Sequence, residues 1–393
     1  MNQRYLYLLL LLIVFSCSKE INEIDISPKG RTVLVYLAGD NDLSYEVADI
    51  HAALMQGWNS KIVGSLVVFA DREGASPVLI KIKQQNNKTI ADTLKTYNGE
   101  GDNVNSASSE ILRQVIADTQ ILAPGESYGM VLYSHASGWL PPHFYNNPIK
   151  WEAEFNDAPR AVSRSIFHDN GREMELADFA DAIPDRMFDF IASEMCFMSS
   201  VEMAYALRNK TDYLLASAPE VLVPGFTHIY STSLDLLFKP EADLRGFAQD
   251  FYNYFLGKTG QNRSAAISLV RTSEMESLAA LTREIAPDLE LNQAIINQVQ
   301  YYDGTFKRDD KGYPHVFFDF RDFVSKTDVT PEQLQKLDDL LSRVVPFKLH
   351  TKEFLNIIIE ENKYSGLSVY IPQENLPKLN DAYKKTEWWK AVN

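Results

Sequence analysis

The chain has 393 residues, of which 45% are hydrophobic and 23% charged, so it can bury a large core. Its formal net charge is −15 at pH 7, and the sequence pI is about 5.0. These values exclude a disordered chain and a broad surface for nucleic-acid phosphates, since no run of basic residues is present to neutralise them. We therefore predict one large α/β domain or two ordinary ones, with no nucleic acid as partner.

The first 17 residues differ in composition from the rest. Arg4 precedes the apolar run YLYLLLLLIVF, which is short for a membrane span, and SCSKE follows it. The stretch VFSC resembles a bacterial lipoprotein lipobox. That resemblance implies a signal peptide over residues 1–17, cleaved before Cys17, and lipidation of the Cys17 sulfur. The exported protein would then be anchored to the membrane, facing the periplasm or the cell surface. An ordinary signal peptide cut elsewhere is the alternative.

Residues 18–31 are polar and contain Pro and Gly, as suits a tether between an anchor and a domain. The chain has two cysteines, so a lipidated Cys17 leaves Cys196 as a single thiol that has no partner for an internal disulfide. A free thiol in an oxidising compartment is a liability unless it is buried or used.

Short, nearly continuous apolar runs alternate with helical candidates after the tether. Such runs are typical of strands covered on both faces, and their alternation with helices predicts an α/β fold with a mostly parallel sheet and helices on both faces. The predicted strands are residues 32–38, 65–70, 77–82, 128–134, 188–193, 213–217, 265–270 and 367–372. The predicted helices are residues 44–58, 106–121, 199–209, 241–256 and 275–299.

One long segment breaks this alternation. Residues 140–165 contain four prolines and show no consistent periodicity, which predicts an exposed loop. Loops of this length are often functional or are sites of cleavage.

Two chemically reactive side chains follow predicted strands. His135 stands at the end of one strand, in SHASGW, and Cys196 follows another, in SEMCFMSS. The carboxyl ends of parallel strands form the crevice where ligands bind, so we predict both groups at one rim. A nearby imidazole and a helix N-terminus both favour the thiolate over the thiol. This arrangement is what a Cys-His nucleophilic pair requires.

A structural interpretation of both residues stands beside the catalytic one. Cys196 has the apolar neighbours Met195, Phe197 and Met198, which are typical of an inert buried thiol. A histidine after a strand is often a structural or surface residue. From the residues alone, both interpretations stay open.

Several motifs in order resemble the clostripain family of cysteine peptidases, relatives of caspases, gingipains and legumain. They are VLVYLAGDNDL, SHASGW, IFHDNGREMELADFADAI, FDFIASEMCFMSSVEMAYALRNKTDYLLASAPEVLVPG and GLSVYIP, and they cover roughly residues 31–372. The resemblance implies a caspase-like α/β fold for residues 32–393, with loop 140–165 exposed and helical additions at the C-terminus. It also implies His135 as general base and acid, Cys196 as nucleophile, and cleavage after Arg or Lys.

The sequence departs from the family pattern at a few positions. Ala136 replaces a glycine whose N–H helps to form the oxyanion hole, and alanine keeps that donor. Glu194 replaces an aspartate, and we predict that it binds the basic substrate side chain, with Glu220 as a second candidate. Helix capping is the alternative role for Glu220. Ser199 replaces a small glycine and is expected to cap the next helix.

Metal and processing sites have weaker sequence support. Asp40 and Asp42, in GDNDL, offer oxygen ligands, and some family members depend on calcium, but EF-hand spacing is absent and helix capping explains them equally. The Cys-His chemistry itself requires no cofactor. The family often processes itself between its His and Cys motifs, which suggests cleavage at Lys150, Arg160 or Arg164.

The sequence thus leads to two functional hypotheses of different classes. The first is a lipid-anchored cysteine endopeptidase that acts on proteins or peptides containing Arg or Lys. The second is a surface-tethered binding protein that keeps the fold without turnover, for which Ala136 is the supporting residue. The presence of both His135 and Cys196 favours the enzyme, and a metal-dependent hydrolase fits the sequence poorly.

Overall fold

A computed structural model describes residues 30–98, 104–145, 147–154, 165–286, 292–304 and 312–393. The predicted signal peptide over residues 1–17, most of the tether, Cys17, Arg160 and Arg164 lie outside the described residues. No helix within the described ranges is long and apolar enough to cross a membrane.

Five strands lie parallel to one another at the centre of a nine-stranded sheet formed by the described residues. The strand order is β12-β10-β9-β8-β5-β1-β2-β3-β4. The strands of this sheet are β1 (Arg31–Gly39), β2 (Gly64–Arg72), β3 (Ala75–Gln85), β4 (Lys88–Thr96), β5 (Ser127–Tyr133), β8 (Phe188–Ser193), β9 (Thr211–Ala216), β10 (Ala266–Arg271) and β12 (Phe347–His350). Three small two-stranded sheets pair β6 (Ile166–Asp169) with β7 (Arg172–Met174), β11 (Phe318–Asp319) with β15 (Ser368–Val369), and β13 (Glu353–Phe354) with β14 (Ile357–Ile358).

Helices cover both faces of the sheet. They are α1 (Ser44–Gly57), α2 (Ser109–Leu122), α3 (Pro148–Glu154), α4 (Leu176–Ala182), α5 (Val201–Ala206), α6 (Thr227–Ser233), α7 (Leu244–Leu256), α8 (Met275–Ile285), α9 (Gln293–Ile296), α10 (Phe320–Val324), α11 (Pro331–Val344), α12 (Pro377–Tyr383) and α13 (Glu387–Val392). Side-chain oxygens define several N-termini: Ser108 caps α2, and Thr330 forms a capping box with Gln333 on α11.

Two hydrophobic cores lie on opposite faces of the sheet. On β1, Val33, Val35 and Leu37 pack in the core shared with α1, α6 and α7. Leu34 and Tyr36 alternate with them and pack in the core shared with α2, α4, α5 and α8. Because strand side chains alternate with a period of two, a strand covered on both faces must be apolar throughout. This explains the continuous apolar runs in the sequence.

Most predicted elements are confirmed, and the exceptions have physical reasons. The four outer strands β3, β4, β10 and β12 run antiparallel to their neighbours. The edge strand β4 is half exposed, so its apolar pattern is weak. The predicted strand 367–372 contributes only β15, outside the central sheet. The predicted helix 275–299 is also too long, since α8 ends at Ile285.

Candidate active site

His135 and Cys196 lie at the same edge of the central sheet. Their strands, β5 and β8, are parallel neighbours, and Leu132 pairs with Ser193 at the last register position. Each candidate residue follows its strand three positions beyond that pair. Neighbouring strands are about 4.8 Å apart. Both residues therefore follow neighbouring strands at the same rim of the sheet.

The His135 imidazole is held from one side by a carboxylate. Its Nε2 atom lies 2.5 Å from Oδ1 of Asp42, in the loop between β1 and α1. The His135 side chain is 12% exposed and the Asp42 side chain 69%. The His168 ring, on β6, lies edge-on to His135 with the centroids 6.2 Å apart. The contact with Asp42 joins residues that are 93 positions apart, and nothing in the local sequence indicated it.

Cys196 lies in a turn after β8 and is partly buried. Its Sγ atom accepts a hydrogen bond from the Val221 N–H at 3.4 Å. The next residue, Phe197, has a φ of 60°, in the left-handed region, and donates its N–H to the carbonyl oxygen of Pro219. The thiol is thus held between its own turn and the loop after β9. An N–H donor at sulfur favours the thiolate.

The helix after Cys196 begins later than the sequence predicted. It starts at Val201, and the Oγ atom of Ser200 accepts the capping hydrogen bond from the Met203 N–H. Ser199 does not cap it and instead donates its hydroxyl to the carbonyl oxygen of Gly366. Because the helix has six residues and begins five positions beyond Cys196, the donor in contact with the sulfur is Val221 rather than the helix end.

Ala136 has a backbone conformation that suits its side chain. It is buried, and it lies outside the left-handed φ region that would favour glycine. Ala136 forms a bridge with Ile166, but the hydrogen bond beside it is donated by the Ser137 N–H to the Ser165 carbonyl oxygen. The replacement of glycine by alanine therefore causes no backbone strain here.

Glu194 is buried and faces away from the predicted substrate side. Its Oε2 atom accepts the Phe226 N–H at 2.5 Å, and its Oε1 atom accepts the Tyr230 hydroxyl. Burial raises the pKa of the Glu194 carboxyl to about 7. These contacts give Glu194 a structural role at the start of α6, and its binding to a basic substrate side chain stays a prediction.

The direction of the Glu194 side chain follows from strand alternation. Phe190 and Ala192, at the preceding even positions of β8, both pack in the core shared with α1, α6 and α7. The Glu194 N–H continues the ladder by donating to the Leu132 carbonyl oxygen. Its side chain therefore points to the same face as theirs.

Glu220 is partly exposed and lies next to Val221, the residue whose N–H contacts the Cys196 sulfur. It directly precedes Val221, and its Oε1 atom accepts the hydroxyl of Tyr145 at 3.1 Å. Tyr145 also packs against Phe197, with ring centroids 5.3 Å apart. Of the two predicted substrate carboxylates, Glu220 is therefore the one near Cys196 on an accessible surface. Tyr145 carried no sequence signal, and Val221 was noted only as part of the motif that ends in SAPEVLVPG.

The described residues contain no group of three or more His, Cys, Asp or Glu side chains able to hold a metal ion. Asp42 contacts His135, whereas burial and the nearby charge of Glu73 raise the pKa of Asp40. Calcium binding at Asp40 and Asp42 stays a prediction. Lys150, the processing candidate that the structure describes, is exposed on α3.

Comparisons with known proteins agree on one family. The model of the clostripain family matches residues 35–379. An inactive zymogen C11 protease from Parabacteroides distasonis is 34% identical, with 92% of this chain and 97% of that chain covered and a TM-score of 0.75. A secreted C11 cysteine protease from Bacteroides thetaiotaomicron is 24% identical, with 93% and 99% covered and a TM-score of 0.77.

A secreted C11 cysteine protease from Bacteroides thetaiotaomicron in complex with an irreversible peptide inhibitor is 25% identical, with 93% of this chain and 99% of that chain covered and a TM-score of 0.75. No curated protein sequence matches the chain. The predicted caspase-like α/β fold class and the predicted enzyme class are confirmed. This chain belongs to the clostripain family of cysteine peptidases.

Proposed function

We propose that this protein is an endopeptidase that cleaves after Arg or Lys, with Cys196 as nucleophile and His135 as general base and acid. The observation that supports the assignment is the parallel register of β5 and β8, since His135 and Cys196 each lie three residues beyond the last register pair, at the carboxyl edge of the sheet. No metal or organic cofactor takes part in the bond-breaking steps that we propose.

In the proposed reaction, His135 takes the proton of the Cys196 thiol, and the thiolate attacks the carbonyl carbon of the scissile bond. The tetrahedral intermediate collapses as the imidazolium gives its proton to the leaving amine, which leaves a thioester on Cys196. His135 then takes a proton from water, whose oxygen attacks the thioester and releases the carboxylic acid and the thiol. The Val221 N–H supports the thiolate, and the Ala136 N–H is the candidate oxyanion donor.

Glu220 is the carboxylate that we assign to the basic substrate side chain. Its support is its position one residue before Val221, which contacts Cys196, together with its partial exposure. Glu194 is a poorer candidate because both of its oxygens already accept internal hydrogen bonds. A charge-assisted hydrogen bond to a guanidinium is worth about 1.5–3 kcal/mol, or roughly 10- to 100-fold in kcat/KM.

We further propose that cleavage within residues 140–165 activates the enzyme. Tyr145, in this segment, donates to Glu220 and packs against Phe197 beside the nucleophile, so the intact segment occupies part of the proposed substrate surface. Lys150, which is exposed on α3, is the described candidate for the cut. Arg160 and Arg164 are further candidates.

Export and anchoring through a lipid on Cys17 complete the proposal. Their support is the lipobox-like stretch before Cys17 and the polar residues 18–31 after it. The membrane would then be one partner, and proteins or peptides containing Arg or Lys the others.

The test is hydrolysis of fluorogenic peptides that differ only in Arg, Lys or norleucine before the scissile bond. The full chain is compared with Cys196→Ala, His135→Ala and Glu220→Gln, and with Glu332→Gln as an exposed control on α11. We expect no turnover in the first two variants. Glu220→Gln should lose about 10- to 100-fold in kcat/KM for Arg and Lys peptides and little for norleucine, whereas the control should keep all three.

Turnover that persists in Cys196→Ala would overturn the assignment of the nucleophile. Turnover that a chelator abolishes in that variant would indicate metal chemistry. The absence of any Cys196-dependent turnover, before and after cleavage of the 140–165 segment by trypsin, would favour the binding protein with the same fold.

A further inference from the structure

We propose that Asp42 is a positioning residue for His135, which holds the imidazole in the tautomer and orientation that accept the thiol proton. The inference extends the proposed peptidase function by adding a third side chain to the His135–Cys196 pair. Asp42 does not contact the reacting atoms in this assignment and acts through the ring.

The contact between the two side chains fixes the tautomer. Oδ1 of Asp42 lies 2.5 Å from Nε2 of His135, within hydrogen-bonding distance. An ionised carboxylate can only accept, so in the neutral imidazole the proton must be on Nε2. The lone pair is then on Nδ1, which is the ring nitrogen that we assign to take the proton of the thiol. The opposite tautomer would break the hydrogen bond to Asp42 and present an N–H where a base is needed.

The loop that carries Asp42 is held in place by its neighbour Asn41. The Nδ2 atom of Asn41 donates to the carbonyl oxygens of Ala38 at 3.1 Å and His168 at 2.7 Å, and its Oδ1 atom accepts the Leu43 N–H at 2.8 Å. These bonds tie the end of β1 and the start of α1 to β6. The Asp42 backbone therefore has a fixed position, although its side chain is exposed.

His168, on β6, is a second neighbour of the His135 imidazole. The His168 ring lies edge-on to His135, and Ser134, one residue before His135, accepts the His168 N–H at 3.0 Å and donates to the Ala38 carbonyl oxygen at 2.7 Å. The ring thus contacts both Asp42 and the His168 ring on β6. Contacts with a carboxylate and a neighbouring side chain can keep a general base in a productive geometry.

The charge of Asp42 has a smaller effect than its geometry. Its side chain is 69% exposed, so solvent screens its charge and limits its effect on the imidazolium. Among the described residues, His168 on β6 is a titratable neighbour of the ring, and Tyr133 at the end of β5 is a titratable neighbour of Asp42. The pKa of Tyr133 is raised by burial first and then by acidic neighbours that include Asp42. We therefore expect removal of Asp42 to affect orientation and kcat most strongly.

The experiment compares Asp42→Asn with Asp49→Asn, which removes the same charge from an exposed position on α1. In the active full chain, we expect Asp42→Asn to lower kcat by about 10- to 100-fold, with KM within about twofold, and the acidic limit of kcat/KM to move to lower pH. Asp49→Asn should leave kcat and the profile unchanged.

The tautomer is measured directly in the full chain carrying Cys196→Ser, which prevents self-cleavage. Nitrogen-15 chemical shifts of labelled histidine, with His135 assigned by its loss in His135→Gln, should show the neutral ring protonated at Nε2. The Asp42→Asn variant should show a mixture of tautomers and a lower pKa for His135, because a carboxylate favours the imidazolium. Asp49→Asn should resemble the parent protein.

These measurements distinguish failure of the positioning role of Asp42 from failure of the peptidase assignment. Unchanged kcat and an unchanged tautomer in Asp42→Asn would overturn the positioning role while the peptidase assignment stands. A tautomer change in a chain without Cys196-dependent turnover would refute the peptidase assignment and leave the Asp42–His135 contact supported. Equal losses in Asp42→Asn and Asp49→Asn would show a general effect of charge and would also overturn the positioning role.

Discussion

Replacement of Glu194 by alanine tests whether this residue stabilises the fold or binds the substrate. In Glu194→Ala, the Phe226 N–H and the Tyr230 hydroxyl lose their acceptor in a buried site. A buried donor left without a partner costs about 1–3 kcal/mol, so we expect the free energy of unfolding to fall by about 2–6 kcal/mol. Glu194→Gln keeps the shape and one carbonyl acceptor, and should cost much less.

The pH dependence of stability gives a second test at the same site. The pKa of Glu194 is raised from 4.5 in a model compound to about 7 in the folded protein. Between these values the unfolded chain is ionised and the folded chain protonated, so stability is greatest below about pH 4.5 and falls until about pH 7. The full difference amounts to about 3 kcal/mol for this group. The slope should be smaller in Glu194→Gln.

The assay is urea unfolding at pH 5.5 and pH 8, followed by tryptophan fluorescence, with Cys196→Ala in every protein. Glu110→Gln, an exposed change on α2, is the matched control and should keep the parent slope. The ratio of kcat/KM for Arg and norleucine peptides is measured in the active background. A Glu194→Ala protein as stable as its parent, with the preference for Arg lost, would refute the structural role and restore Glu194 as the substrate carboxylate.

Two further predictions concern the same sheet. Gly138→Ala should lower the free energy of unfolding by about 1–3 kcal/mol and should also lower kcat. The φ of Gly138 is +59°, and a Cβ atom there would lie 2.6 Å from the Phe197 carbonyl oxygen, beside the nucleophile. Parent-like stability and kcat would contradict this prediction. Arg31→Ala should cost about 2–4 kcal/mol by urea unfolding, since Arg31 bonds Asp189 and three carbonyl oxygens. It lies at the opposite end of β1, so a loss of kcat in the folded protein would contradict our reasoning.

The local sequence was enough to predict the central strands and the two reactive residues. Strands buried on both faces must be apolar throughout, so β1, β2, β5, β8 and β9 were visible as continuous runs. Polar residues directly after such runs fall at the carboxyl edge of a parallel sheet, which is why His135 and Cys196 could be predicted at one rim. The face of the sheet to which the Glu194 side chain points could also be predicted from the sequence. Phe190 and Ala192 point to that face, and the period of two continues to Glu194.

Contacts between segments that are distant in the sequence could be identified only from the tertiary structure. The Asp42–His135 pair joins residues 93 positions apart, and the Cys196–Val221 contact joins residues 25 apart. Periodicity describes which face a residue occupies on its own element, but it does not specify which loop lies opposite. The sequence by itself therefore determined the family, the central strands and the two candidate catalytic residues. The order of strands in the sheet decided which carboxylate holds the imidazole and which one stays accessible beside the thiol.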